Sequence, residues 1–246
     1  MKEVIKVGSI AELLQAIEDT ERAVNGNALW FRGHREAFWK LVPSAHRCHP
    51  ILESQFASHF RLRAPSVYPN CPEHTDYASW LALMQHYGVP TRLLDWTESA
   101  LTACYFALCT GESTDAAAIW ALSPGHLNSH FGSGLIYILG SKAIETVVQD
   151  AFDTSTNRSG QHLAVTAPHR DQRMSSQLAH FTIHGSNQSL EEVHQPNDYV
   201  TKLEIPRSAH DRLRRELRVL GVRRSTVFPD LQNLALEISE LIAIES

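Results

Sequence analysis

The sequence predicts an α+β fold, a mixed or antiparallel central sheet flanked by helices. Two observations carry this. Short apolar, alternating stretches interleave with stretches of helical period, and they do so without a strict strand–helix–strand rhythm. No internal repeat, low-complexity tract or Pro-rich linker divides the 246 residues, so one domain is expected over 1–246, its core about 10–244. Apolar residues make up 43 % and charged residues 20 %, ordinary for a globular chain with ample material for a core.

Each element has a local reason. Ser9-Ile10-Ala11-Glu12 has capping-box spacing, and Leu13, Leu14 and Ile17 continue one apolar face, so a helix begins there. Ala28 to Gly33 reads as an apolar strand ending in Arg-Gly, and 51–63 as a helix. From Glu73 to Tyr87, Tyr77, Trp80, Leu81, Met84 and Tyr87 recur at spacings of three and four; Gly88 and Pro90 stop that helix. Ser99 to Cys109 is apolar almost all round, which predicts a buried helix. Strands are expected at 116–122, 134–139, 163–166, 181–184 and 199–205, and helices at 208–220 and 230–244. The polar, aperiodic stretch 154–160 is expected to be a mobile loop.

Bulk chemistry weighs against several classes. The formal charge of −5 offers no general attraction for nucleic acid or anionic membrane. No apolar run reaches the roughly 18 residues of a membrane span. The four cysteines form no Cys-x-x-Cys pair and the N-terminus has no apolar leader core, so a cytoplasmic protein is expected. His46, Cys48, His49, Cys71 and His74 match no standard zinc spacing, and no metal is expected.

Candidate chemistry concentrates in two places. Arg32, in Trp30-Phe31-Arg32-Gly33-His34, sits at the end of an apolar strand, where a guanidinium needs a carboxylate, a phosphate or carbonyls. It either pairs with an internal acid such as Asp95 or grips a phosphate or ribose; Gly33 beside it permits close approach of a ligand or of another backbone. The stretch Gln85 to Thr97 mixes buried-type Leu93, Leu94 and Trp96 with His86, Tyr87, Thr91, Arg92 and Asp95. It reads either as a clamp pinning a loop to the core, with Arg92 and Asp95 able to pair, or as the wall of a polar ligand site. Thr97 or Ser99 caps the following helix, and Glu98 suits its start. Two weaker features are Arg173 with Gln177, four apart before a strand, and Arg212, Arg214, Arg215, Arg218, Arg223 and Arg224. Asp211 and Glu216 are interspersed with those arginines, which favours a solvated helix face over a nucleic-acid footprint.

These blocks, in this order, resemble the FRG domain, a family named for the triplet present here as Phe31-Arg32-Gly33. The resemblance continues through Gln85 to Thr97, Ala100-Leu101 and Tyr105-Phe106-Ala107, then Arg173, Gln177, Phe181-Thr182 and Phe228 to Leu231. Ala179 stands where the pattern leads one to expect glycine. A further likeness, to ADP-ribosyltransferases, implies a transferase-like fold and NAD as substrate, cleaved at the nicotinamide–ribose bond. It implies that Arg32 binds ribose or phosphate, that Tyr87 or Tyr105 stacks on nicotinamide, and that Thr91 and Asp95 orient the wall. The catalytic acid it requires would be Glu98, Glu204 or a group near Gln177, itself a neutral amide. A macromolecular acceptor, and a role as toxin or in phage defence, extend the same likeness. A non-catalytic ligand-binding or interaction module is the alternative, and a nucleic-acid-processing protein a second.

Overall fold

The computed structural model describes residues 4–47, 52–111, 113, 115–153, 160–167, 178–193 and 195–245. The expected loop at 154–160 falls outside them except for Gly160, and Arg173 and Gln177 fall outside them altogether. The architecture is α+β. One eight-stranded sheet, mostly antiparallel, is flanked by nine α-helices among the described residues.

The strands are β1 (Ile5–Lys6), β2 (Trp30–His34), β3 (Leu93–Thr97), β4 (Ala117–Leu122), β5 (Tyr137–Ile138), β6 (His162–Thr166), β7 (Ala179–His184) and β8 (Val200–Ile205). Their order is β1-β8-β4-β2-β3-β7-β6-β5, with parallel pairing only at the two edges, β1 to β8 and β5 to β6. The helices are α1 (Ile10–Ala23), α2 (Leu52–Arg63), α3 (Tyr77–His86), α4 (Ala100–Cys109), α5 (Pro124–Ser129), α6 (Glu145–Gln149), α7 (His210–Val219), α8 (Arg224–Val227) and α9 (Leu231–Glu245).

The expected caps form. Ser9 Oγ accepts from the Glu12 amide at 3.2 Å and Ser99 Oγ from the Thr102 amide at 3.1 Å. Gly88, at φ 75°, takes the left-handed turn that ends α3. The strand at Leu93–Thr97 was not expected, because a buried strand carrying polar residues at 95 and 97 reads like a polar loop. The helices α5, α6 and α8 are also unexpected; at four to six residues they are too short to show a period.

Alternation along the strands divides the core by face. On one face, Phe31, Ile119, Ala121, Leu203 and Ile205 pack under α1, α4 and α7. Farther along that face, Leu93, Leu163, Val165, Phe181 and Ile183 pack under α3 and α6. The opposite face buries Trp30, Leu94, Trp96, Trp120, Leu122, Ala164 and Val200.

The sheet is fastened unevenly. Each residue of β2 is paired with β4, and each residue of β3 with β7. Between β2 and β3 the ladder has one pair, Phe31 opposite Thr97. Two four-stranded halves therefore meet at a seam, and on the helix-bearing face the seam lies between α4 and the end of α3.

Candidate functional site: a cleft at the seam of the sheet

A cleft of about 730 Å³ opens at this seam. β2 supplies Arg32 and Gly33, β3 supplies Asp95 and Thr97, and the end of α3 supplies Gln85, His86 and Tyr87. Phe106 of α4 and Thr110 just past its end, with Arg35 and Trp39 from the loop after β2, add to the polar and aromatic lining.

Arg32 lies at the fork. Its Nη1 donates to the Asp95 carbonyl at 2.7 Å, the acceptor a second ladder pair would have used, and lies 3.7 Å from the Asp95 carboxylate. Its Nε donates to His34 Nε2 at 3.1 Å. One-fifth of the side chain stays exposed to the cleft. Burial pulls the Arg32 pKa down and Asp95 pulls it back up; an arginine remains charged at neutral pH regardless.

A relay of hydrogen bonds sets the opposite wall. The Leu93 amide donates to Thr91 Oγ1 at 3.1 Å, and Thr91 in turn donates to Gln85 Oε1. This fixes the Gln85 amide so that its Nε2 donates to Asp95 Oδ1 at 2.8 Å. Thr91 is fully buried, so it positions the wall rather than forming it. Over the cleft mouth, Tyr87 is 56 % exposed and Trp39 36 %, and Arg35 stacks on Trp39 with its guanidinium carbon 5.2 Å from the ring centre. Two guanidiniums, one carboxylate, an amide and open aromatic rings suit a planar group joined to an anionic one.

Arg92 is elsewhere. It is fully buried, donating to both Glu53 oxygens at 2.9 and 2.7 Å and to the Val147 carbonyl at 2.9 Å. The pairing of Arg92 with Asp95 does not form, and Arg92 is no part of the cleft wall; it clamps α2 to α6 beneath the start of β3. Thus the block from 85 to 97 holds both readings at once, with Arg92 the clamp and Gln85, Tyr87 and Asp95 the wall.

The remaining expected residues divide similarly. Tyr105 is buried beside Phe106 and Phe228, its hydroxyl pushed up to about 12 by that burial, and it stacks on nothing in the cleft. Glu204 is on β8, opposite Ala118 of β4, which separates it from β2. Glu98, just past β3, accepts from His180 Nε2 at 2.7 Å, and His180 stacks on Trp30 with centroids 4.3 Å apart. Neither glutamate lines the cleft; the carboxylate that does is Asp95. Ala179 adds its methyl to the lining.

Gly33 faces a backbone. A Cβ built there would overlap the Ala103 carbonyl oxygen and come within 2.6 Å of the Ala107 amide nitrogen. Its missing side chain therefore admits α4 against the sheet.

His34 escaped the sequence reading, as did Glu53. Both look like ordinary surface residues in their local pattern; only the sheet register and the placement of α2 bury them. The His34 pKa falls to about 3, through burial first and the neighbouring Arg32 second, so the ring is neutral and Nε2 can accept from Arg32. His162 and His184 are lowered too, chiefly by burial. An unfolded histidine binds a proton near pH 6.5 that these folded rings refuse, so stability falls as pH drops from about 6.5 toward 3. His34 alone is expected to cost about 2 kcal/mol at pH 5 relative to pH 7, with His162 and His184 adding in the same direction. Urea midpoints at the two pH values measure this, and a His34→Gln variant should lose part of the slope.

Among the described residues no helix is long and apolar enough to cross a membrane, and no group of three His, Cys, Asp or Glu side chains is placed to hold a metal ion.

Fold and site together define an α+β protein whose sheet is parted by a polar cleft with Arg-Gly at the fork. Residues 27–116 match the family model of the FRG domain. That span runs from just before β2 to the edge of β4 and contains every cleft residue except Ala179. Comparison with the curated proteins gave no match, and neither did comparison with the solved structures.

Proposed function

We propose that the cleft binds a nucleotide, NAD in the first instance, and that the chain is an ADP-ribosyltransferase-like enzyme. The observation that supports this is Arg32. Its guanidinium is oriented by His34 and the Asp95 carbonyl, yet it keeps an open edge toward a cleft with exposed aromatic rings. A diphosphate would sit against Arg32 and Arg35, and a planar ring against Tyr87 or Trp39. Asp95 would face the ribose, where a carboxylate stabilises positive charge developing as nicotinamide leaves.

Titration calorimetry with NAD, followed by mass spectrometry of released nicotinamide, tests the reading. Arg32→Ala is expected to weaken binding about 10- to 100-fold, the value of hydrogen bonds to a charged group. No heat from folded protein would sink the NAD reading. If turnover occurs, producing the chain in bacterial cells should lower NAD and slow growth, and the Arg32→Ala variant should not; that outcome would support a toxin or defence role.

A second reading, a nucleotide-binding module without catalysis, draws on Asp95 itself. That carboxylate is already engaged by Gln85 and lies near Arg32, which leaves it less available to stabilise a cation. Binding without nicotinamide release would establish it.

A further inference from the structure

Arg212, Arg215, Arg218 and Arg223 are exposed, as a solvated helix face requires, whereas Arg214 and Arg224 are half-buried. Arg214, Arg218, Arg223 and Arg224 line a cavity of about 190 Å³ between α4, α7, α8 and α9, with the Cys109 thiol in its wall. Two carboxylates join them. One, Glu240, pairs with Arg224 Nη2 at 2.8 Å, while the other, Glu237, accepts from the Ser225 amide at 2.7 Å. Arg214 donates through Nε to the Leu108 carbonyl at 2.9 Å and pairs with Asp211 at 3.0 Å. Even so, Arg224 Nε is buried without a partner, and Arg218 has no carboxylate partner among the described residues. Four guanidiniums against three carboxylates, Asp211 on Arg214 and the two in the wall, leave a surplus of one positive charge around a small concave space. Like charges gathered so closely are costly unless an anion joins them.

The volume is ample for a phosphoryl group, and the guanidiniums that line it match phosphate geometry. A wider space of about 610 Å³, sharing Cys109, Arg214 and Arg224, continues from it to Thr110 and Gly111. We propose that this cavity is a second binding site, for a phosphate monoester, meeting the lining of the cleft only at Thr110. Its phosphate sits among Arg214, Arg218, Arg223 and Arg224, and the rest of the molecule lies in the wider space. A small phosphorylated molecule fits better than a nucleic-acid strand, since the whole chain carries a formal charge of −5.

Cys109 provides a local readout. A bound phosphate would cover the thiol and neutralise the guanidiniums that favour its thiolate, and both effects slow alkylation. The experiment measures iodoacetamide labelling of Cys109 by peptide mass spectrometry in phenyl phosphate, in inorganic phosphate and in chloride of equal ionic strength. Labelling is expected to slow at least threefold in both phosphates. In the Arg218→Ala/Arg223→Ala double variant that protection should vanish, while NAD titration is unchanged. Equal rates in phosphate and chloride would overturn the proposal, as would protection that survives in the double variant. Protection by inorganic phosphate but not by phenyl phosphate would overturn the monoester assignment.

Discussion

Replacing Arg92 or Glu53 by alanine is expected to destabilise the protein by about 3–5 kcal/mol, the usual result of stranding one member of a buried ion pair. The pair is almost completely sealed, with side chains 0 % and 2 % exposed, so water cannot solvate the survivor. Arg92→Lys should also be costly, because a lysine cannot reproduce the two-pronged contact with Glu53. Substituting both residues together with apolar side chains of similar volume should recover most of the loss. Denaturant unfolding of the single and double variants measures all of this. An Arg92→Ala variant within 1 kcal/mol of wild type, on the same measurement, would show that the clamp is not structural.

The second large effect is expected at Gly33. Alanine there meets backbone atoms of Ala103 and Ala107, which cannot rotate away as a side chain could. Either α4 lifts or β2 shifts, at about 3 kcal/mol or more, at the upper end of overpacking costs. Since α4 and its C-cap carry Phe106 and Thr110 into the cleft, ligand affinity should fall with stability. A thermal melt and an NAD titration on Gly33→Ala check both halves. A stable variant with normal cleft chemistry would contradict the packing seen at this position.

Much of this fold was legible from local pattern, and the reasons differ by element. The helices α1, α3 and α4 announce themselves by period and cap, and the strands β2 and β4 by apolar runs. β3 is hidden because its exposed Asp95 belongs to a site, and a site breaks the alternation that marks a strand. The likeness to the FRG domain pointed to Arg32, Gly33, Tyr87 and Asp95, all of which line the cleft. It could not separate Arg92 from them, because the partner that buries Arg92 is Glu53, 39 positions earlier in the chain. Nor could it place Glu98 or Glu204, whose surroundings are set by strand order. His34 shows the same limit, since its neutrality arises from burial between strands far apart in sequence.

The single ladder pair between β2 and β3 has a mechanical meaning. Each half-sheet is stitched internally along whole strands, whereas the backbone hydrogen bonding between the two facing strands comes down to one ladder pair and the arm of one arginine. Such a joint is the compliant line of an otherwise stiff plate. A ligand gripping Arg32 on one side and Asp95 on the other acts as an added rivet across it. Occupancy of the cleft by the proposed ligand would thereby stiffen the seam, and amide hydrogen exchange along β2 and β3 should slow far more than at the outer edges.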